Sequence, residues 1–381
     1  MSITETNPIR SLHLDATDRP FIVIWEVTRA CALVCAHCRA DAIHQRSPLE
    51  LSTAEGKELL DDLAAYGAPR PIVVLTGGDP FERPDLAELV AHGSALGLSM
   101  AVSPSVTPRL TREVLLDLRS AGTRAVSLSL DGATGATHDG FRGVVGVFDS
   151  TLEAAGWVHD ADIRLQINST VTADNVAELP AILERVVNLE AQLWSVFFLV
   201  PTGRGSHLKA ADASTVEEIL HWLHDVRGHV AIKTTEAPHY RRIAIQRARV
   251  DDVDLVFPPG QLRRQLRDET VERLGTLKGR GVGRPPLDVN AGRGFSFVDH
   301  FGLVYPSGFL PESVGSVRDR PFSVIYRDAD LLRALRDPDR LGGRCGCCEF
   351  REVCGGSRSR AYAVYGDPLA EDPSCIYEPG Q

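Results

Sequence analysis

Long hydrophobic runs are missing from these 381 residues. The strongest, LWSVFFLVP, is too short to cross a bilayer, and the amino terminus, MSITETNPIRSLHLDATDRPF, has no apolar signal core, so the expected compartment is the cytoplasm. A surplus of positive charge is missing as well. The formal net charge of -10 argues against general nucleic-acid binding, which needs a basic footprint. Cysteine is scarce, with only eight in the chain. Cytosolic thiols stay reduced, so where these cysteines gather they point to metal ligation rather than to disulfides. There is no repeat of solenoid type and no low-complexity tract. What remains is a chain that is 43% hydrophobic and long enough for one large domain or two.

From Phe21 to about Thr235, short β-rich runs alternate with helical segments, the pattern of a parallel sheet wrapped by helices. The strand candidates are FIVIWEVT, PIVVLT, LSMAVS, RAVSLSL, IRLQINSTV and LWSVFFLV. Ser52 and Glu55 form a capping-box pattern ahead of GKELLDDLAAYG, which Gly67 closes, and Thr111 opens REVLLDLRSAG in the same style. Six such units make either a barrel or an open doubly wound sheet, and in both the active groups sit at the carboxyl ends of the strands. Between Tyr240 and Arg284 eleven Lys and Arg stand against six Asp and Glu, a local charge of +5. That stretch reads as a solvated helix face, or as a patch that attracts an anionic substrate. A Gly/Pro break, LKGRGVGRPP, follows it, then a hairpin candidate, FSFVDHFGLVYPSG, and a cysteine-rich tail.

Three of the eight cysteines fall within eight residues, in TRACALVCAHCRAD directly after the first strand candidate. Cys31, Cys35 and Cys38 are three soft thiolates close enough to grip one multi-iron cluster, and one ligand short of completing it. Zinc also wants four ligands, and His37 is the one nearby candidate, but its place beside Cys38 makes joint binding to one ion geometrically poor. An incomplete iron cluster has an open iron that can take a small molecule through amino and carboxylate groups.

C-x3-C-x2-C on the loop after the first strand resembles the radical S-adenosylmethionine (SAM) enzymes. The resemblance implies an α/β fold, a partial (β/α)6 barrel over residues 21–235 preceded by an arm over 1–20. Thr76-Gly77-Gly78-Asp79-Pro80 is similar to the family's Gly-Gly-Glu-Pro segment, whose exposed backbone contacts the SAM amino group. Asp79 replaces the usual Glu. His37 takes the position where the family favours an aromatic residue near the adenine. SPSVTPRLT implicates Ser103 and Ser105 near the ribose, and VSLSLDG places Ser129 where a ribose or carboxylate contact is common. By the same resemblance, Arg142 is a candidate for the SAM carboxylate, with Asn168 and Val200 as further candidates at the ends of the fifth and sixth strands.

The tail, CGCCEFREVCGGSRSRAYAVYGDPLAEDPSC, resembles the SPASM and twitch extensions that hold auxiliary clusters. It selects Cys345, Cys348, Cys354 and Cys375 as a complete four-thiolate set for a second 4Fe-4S cluster, with structural zinc as the alternative. Ser357 and Ser307 stand where a full SPASM domain carries further cysteines, so one auxiliary cluster is expected here and not two. Cys347 is left over, as a free thiol or an alternative ligand. An auxiliary domain over 291–381 is then joined to the core by a basic linker or insertion over 236–290.

The implied chemistry is reductive cleavage of SAM to a deoxyadenosyl radical that abstracts a substrate hydrogen, supplied with electrons by a flavodoxin or ferredoxin. LVPTGRG and CGGSRSRAYAVYGDPLAEDP resemble the branch with the haem-synthesis decarboxylases and haem d1 enzymes. That branch implies a tetrapyrrole whose propionates are decarboxylated or otherwise modified, with the basic segment as a partner for its carboxylates. Two other readings stand beside it. One is maturation of a ribosomally made peptide, and the other is a non-catalytic iron-sulfur protein.

Overall fold

The computed structural model describes residues 16–281 and 288–380; most of the expected amino-terminal arm and part of the Gly/Pro break lie outside the described residues. Eleven strands form one sheet: β1 Ile22–Thr28, β2 Ile72–Gly77, β3 Ser99–Val102, β4 Ala125–Ser129, β5 Arg164–Val171, β6 Leu193–Phe198, β7 Ala231–Thr235, β8 Asn290–Ala291, β9 Gly294–Val298, β10 Leu303–Tyr305 and β11 Gly315–Ser316. The helices are α1 Thr53–Ala64, α2 Leu86–Ala95, α3 Arg112–Ala121, α4 Gly135–Arg142, α5 Val147–Asp160, α6 Leu179–Asn188, α7 Ala213–Asp225, α8 Tyr240–Ala248, α9 Val253–Val256, α10 Gln261–Leu274, α11 Phe322–Asp328, α12 Asp330–Arg336, α13 Gly343–Cys347 and α14 Arg358–Tyr365.

β1 to β7 lie side by side in sequence order and pair in parallel, so all their carboxyl ends meet at one end of an open barrel. The six expected units are there, and β7 extends them by one strand. The expected hairpin is β9 and β10, antiparallel to each other. It does not stand apart: β9 pairs in parallel with β1, from Ile22 opposite Phe295 to Trp25 opposite Val298.

The local signals act as their chemistry dictates. Ser52 accepts from the Glu55 amide while the Glu55 carboxylate accepts from the Ser52 amide, closing the capping box of α1. Thr111 caps α3, and Gly122 ends it in the left-handed conformation. Alternate strand residues point outward beneath the helices, among them Val126, Leu128, Leu165, Ile167, Trp194 and Val196, all but fully buried. The intervening residues face the lumen and are largely polar. In register across three strands lie Ser129, Asn168 and Ser195.

The basic segment divides: Arg249, Arg264, Arg273, Lys278 and Arg280 are exposed, as a solvated face requires, Arg241, Arg242, Arg247 and Arg263 are buried, and Arg284 lies outside the described residues. Arg242 pairs with Glu217 at 2.5 Å, Arg263 reaches Asp225 at 2.8 Å, Arg247 also lies on Asp225, and Arg267 and Arg273 reach Asp254 and Glu184. Arg241 donates to the carbonyls of Val353 and Val289. For the buried Arg241, Arg242, Arg247 and Arg263 the physical reason is burial: a guanidinium taken out of water must find an acceptor within the protein. These four side chains are therefore committed to the fold and do not supply the substrate contacts expected of the segment.

Candidate functional site

The loop that leaves β1 carries Cys31, Cys35 and Cys38 across the carboxyl end of the barrel. Its path is fixed by close backbone contact with the end of β2. A β-carbon on Gly77 would stand 2.4 Å from the Thr28 carbonyl, and one on Gly78 would stand 2.4 Å from that of Ala30. The amides of Gly78 and Asp79 donate to the Thr28 and Ala30 carbonyls at 2.9 and 2.7 Å. The glycines thus serve first to seat the cysteine loop, since only a residue without a side chain fits there.

Ser105 ties a third strand to the same point. Its hydroxyl donates to the Gly78 carbonyl at 2.7 Å and receives the Cys31 thiol at 3.5 Å. Asp79 is wholly buried, accepting from Thr107 at 2.7 Å and from the Phe81 amide at 3.2 Å, and burial pushes its carboxyl up to about 6. Ser103 continues the same wall, its amide on Leu75 and its carbonyl facing Thr76.

The far side of the loop is held by α4 and by the turn after β6. Arg142 is nearly buried, pairs with Asp131, and donates to Cys35 Sγ at 3.7 Å. Sequence alone marked Arg142 but missed Asp131, though it stands in the quoted VSLSLDG; its carboxylate also accepts from the Thr170 amide at 2.7 Å. His37 stacks on Phe141 with centroids 4.5 Å apart, and burial lowers it to about 4, so the ring is neutral near pH 7. Val200 is buried in the turn after β6, where Arg204 donates to the carbonyls of Cys38 and Cys35 at 3.0 and 2.9 Å. Ser129 and Asn168 are paired neighbours on the lumen face; Asn168 lies within β5 rather than at its end. Within the lumen, Arg39 spans from the cysteine loop to Glu26 at 2.9 Å and lies 4.3 Å over the Phe297 ring. No sequence signal distinguished it from any other arginine.

The tail builds a second site. Cys345, Cys348, Cys354 and Cys375 all line one recess, together with His239, Arg242 and Asp372. Cys347 does not line it; that thiol is exposed, near the carbonyls of Gly343 and Arg344. Burial holds the Cys354 thiol up at about 12 and the Cys375 thiol at about 11, so neither becomes a thiolate without a cation beside it. Amides of Phe350 and Asp372 donate to Cys348 and Cys345 sulfur at 3.4 Å, and Arg358 donates to Cys345 at 3.5 Å. Such N–H donors to sulfur are among the features that set the potential of an iron-sulfur cluster. Four thiols around one recess are the donor set of a 4Fe-4S cluster, and four thiolates also suit zinc.

The two serines that stand in place of further cysteines meet on one carboxylate. Ser307 and Ser359 donate to Glu236 Oε1 at 3.3 and 3.0 Å, and Ser357 donates to Oε2 at 2.5 Å. Glu236 directly follows β7, in the left-handed region at φ 58°, and lines a cleft with Lys233, Thr235, Asn290, Phe295 and Ser307.

The Radical SAM superfamily model matches residues 25–186, which take in the first cysteine set. The chain is 38% identical to the AdoMet-dependent heme synthase of Methanosarcina barkeri, over 96% of this chain and 99% of that protein. The chain belongs to the radical SAM superfamily. As a radical SAM enzyme it works with SAM and a 4Fe-4S cluster. A further relative is the Pre-heme d1 synthase of Dinoroseobacter shibae, 31% identical over 94% of this chain and 86% of that one. Streptococcus suis SuiB bound to S-adenosylmethionine has the same fold, with a TM-score of 0.68 at 13% identity, covering 94% of this chain and 78% of SuiB. Among the described residues no helix is long and apolar enough to cross a membrane.

Proposed function

We propose that this radical SAM enzyme oxidatively decarboxylates propionate side chains of a tetrapyrrole. The observation that carries the reading is the 38% identity to an AdoMet-dependent heme synthase, which spans nearly the whole of both chains. In this reading residues 21–235 are the radical SAM core, 236–290 an insertion packed on it, and 291–381 the auxiliary cluster region. Cys31, Cys35 and Cys38 hold the cluster that binds SAM, and Cys345, Cys348, Cys354 and Cys375 hold the auxiliary one.

The bound cofactors supply the radical that abstracts a substrate hydrogen and the acceptor for the electron released when carbon dioxide leaves. The chain's own part is placement. Gly77, Gly78 and Ser105 seat the cysteine loop; Ser103, Ser129 and Asn168 line the wall offered to SAM; His37 and Val200 flank it. Arg142 acts through Cys35, whose sulfur it touches, and Asp131 orients it. The cleft beyond β7 offers the substrate an entry. A flavodoxin or ferredoxin is the proposed electron donor.

The test is anaerobic reconstitution, then incubation with SAM, reductant and an iron porphyrin that carries propionates. Expected are about eight irons per chain, deoxyadenosine, and a porphyrin product lighter by carbon dioxide and two hydrogens per side chain. Deuterium on the side-chain carbon beside the ring should appear in deoxyadenosine. SAM cleavage with no change in porphyrin mass, and no binding shift, would transfer the reading to a peptide substrate.

A further inference from the structure

His239 precedes α8 and is completely buried, yet neither ring nitrogen has a hydrogen-bond partner. The nearest acidic atom, Asp372 Oδ2, lies 3.8 Å from Nδ1, beyond hydrogen-bond range. Whichever tautomer it adopts, one N–H points at nothing, and an unsatisfied buried donor costs about 1–3 kcal/mol. The ring is not in an apolar pocket that would tolerate it by chance. It lines the recess of the four cysteines. A second orphan sits in the same wall: Arg242 Nε also lacks a partner, although its two terminal nitrogens are occupied by Glu217 and Gln246. Two buried donors without acceptors in the lining of a four-thiol recess mark where an acceptor belongs.

We propose that His239 donates a hydrogen bond to a sulfur of the auxiliary cluster and so raises that cluster's reduction potential. The donors already named, the amides of Phe350 and Asp372 and the Arg358 guanidinium, reach Cys348 and Cys345. Backbone amides of Gly356 and Tyr377 reach Cys354 and Cys375, and His239 and Arg242 are the lining donors whose N–H groups are still unused. A hydrogen bond to sulfur stabilises the more negative, reduced cluster, which moves the potential upward. An auxiliary centre that must take an electron from a substrate radical is served by that direction of shift. The inference rests on the reading that these four cysteines hold a cluster.

The experiment isolates this centre in the full chain by combining Cys31→Ala, Cys35→Ala and Cys38→Ala, reconstituting it anaerobically, and following reduction by electron paramagnetic resonance during a potentiometric titration. Iron and sulfide content come first: a control that takes up no iron overturns the cluster reading and the His239 role together. With the control loaded at about four irons, adding His239→Leu should lower the midpoint potential, and His239→Gln, which keeps an N–H donor, should return most of the shift. An unmoved potential in a fully loaded His239→Leu chain overturns the hydrogen bond while leaving the cluster reading intact. Failure of both variants to load iron also overturns it, because a donor to sulfur is not required for ligation by four thiolates.

Discussion

At the scale of single residues, Asp79 carries a cost that pH can expose. Its carboxyl is wholly buried and raised to about 6, against an ordinary value near 4. Below pH 4 both folded and unfolded chains hold the proton and nothing is lost. Between pH 4 and 6 the unfolded carboxyl ionises while the folded one resists, so stability falls over that window and levels off above it. At about 1.4 kcal/mol per tenfold in proton affinity, the loss is on the order of 3 kcal/mol. Asp79→Asn cannot ionise and should escape it. Urea midpoints of iron-free wild type and variant, taken from pH 4 to 7, should move in the variant's favour by up to this amount. A difference that stays constant with pH would mean that Asp79 titrates normally. The shorter side chain also has a positive use: it reaches Thr107 and the Phe81 amide, fastening the turn that follows the two glycines.

At the scale of elements, the strongest constraint lies where β1 and β2 end. Gly78→Ala would put a methyl 2.4 Å from one backbone carbonyl and 2.6 Å from another, and backbone cannot yield as a side-chain tip can. Overpacking of this kind costs about 1–3 kcal/mol, and the loop that must give way is the one that carries the cysteines. The expected result is reconstituted iron falling from about eight to about four per chain. Gly156, exposed within α5 with open space about its position, is the contrast. There alanine should raise stability by about 1 kcal/mol through helix propensity alone, with iron unchanged. Iron lost equally from both variants, or from neither, would sink the argument.

Elements also divide what could be read from the sequence. The six strand runs, the capping box of α1, the first cysteine set and Cys345, Cys348 and Cys354 announce themselves locally, because each depends on residues within about ten positions; Cys375 joins them from farther along the tail. β7 was not legible: AIKTT is short and puts Lys233 on the strand, which masks its period. The arginines of α8 and α10 misled for the complementary reason, since their partners Glu217, Asp225 and Glu184 stand 22 to 89 positions away. His239, Glu236 and Arg39 were invisible as site residues, because burial and convergence, not their chemistry, set them apart.

At the scale of the molecule, the tail is joined to the barrel too intimately to be an appendage. One core unites Val23, Trp25 and Val27 of β1, Leu60 and Leu63 of α1, Val298 and Val304 of the hairpin, and Phe322, Ile325 and Tyr326 of α11. Closer to the second site, Arg360 is buried among the Phe198 and Leu199 carbonyls after β6, the Glu236 carbonyl after β7, and Ser374 beside Cys375. Glu236, gripped by three serine hydroxyls, lies in the same joint. A continuous run of hydrogen bonds thus leads from Cys345 through Asp372 and Ser357 to Glu236 in the cleft. This polar seam ties the tail cysteines to the end of β7. This separates the roles of the two cysteine sets in a way that activity can test. Replacing Cys345, Cys348, Cys354 and Cys375 by alanine leaves the glycine-seated loop and its SAM wall untouched. The variant should keep about four irons and still cleave SAM, with deoxyadenosine measured by chromatography. The oxidised porphyrin product should fall to background in mass spectra, since the substrate radical has lost its electron acceptor. Full product yield with half the iron would show that the electron leaves by another route and that the tail cluster is structural.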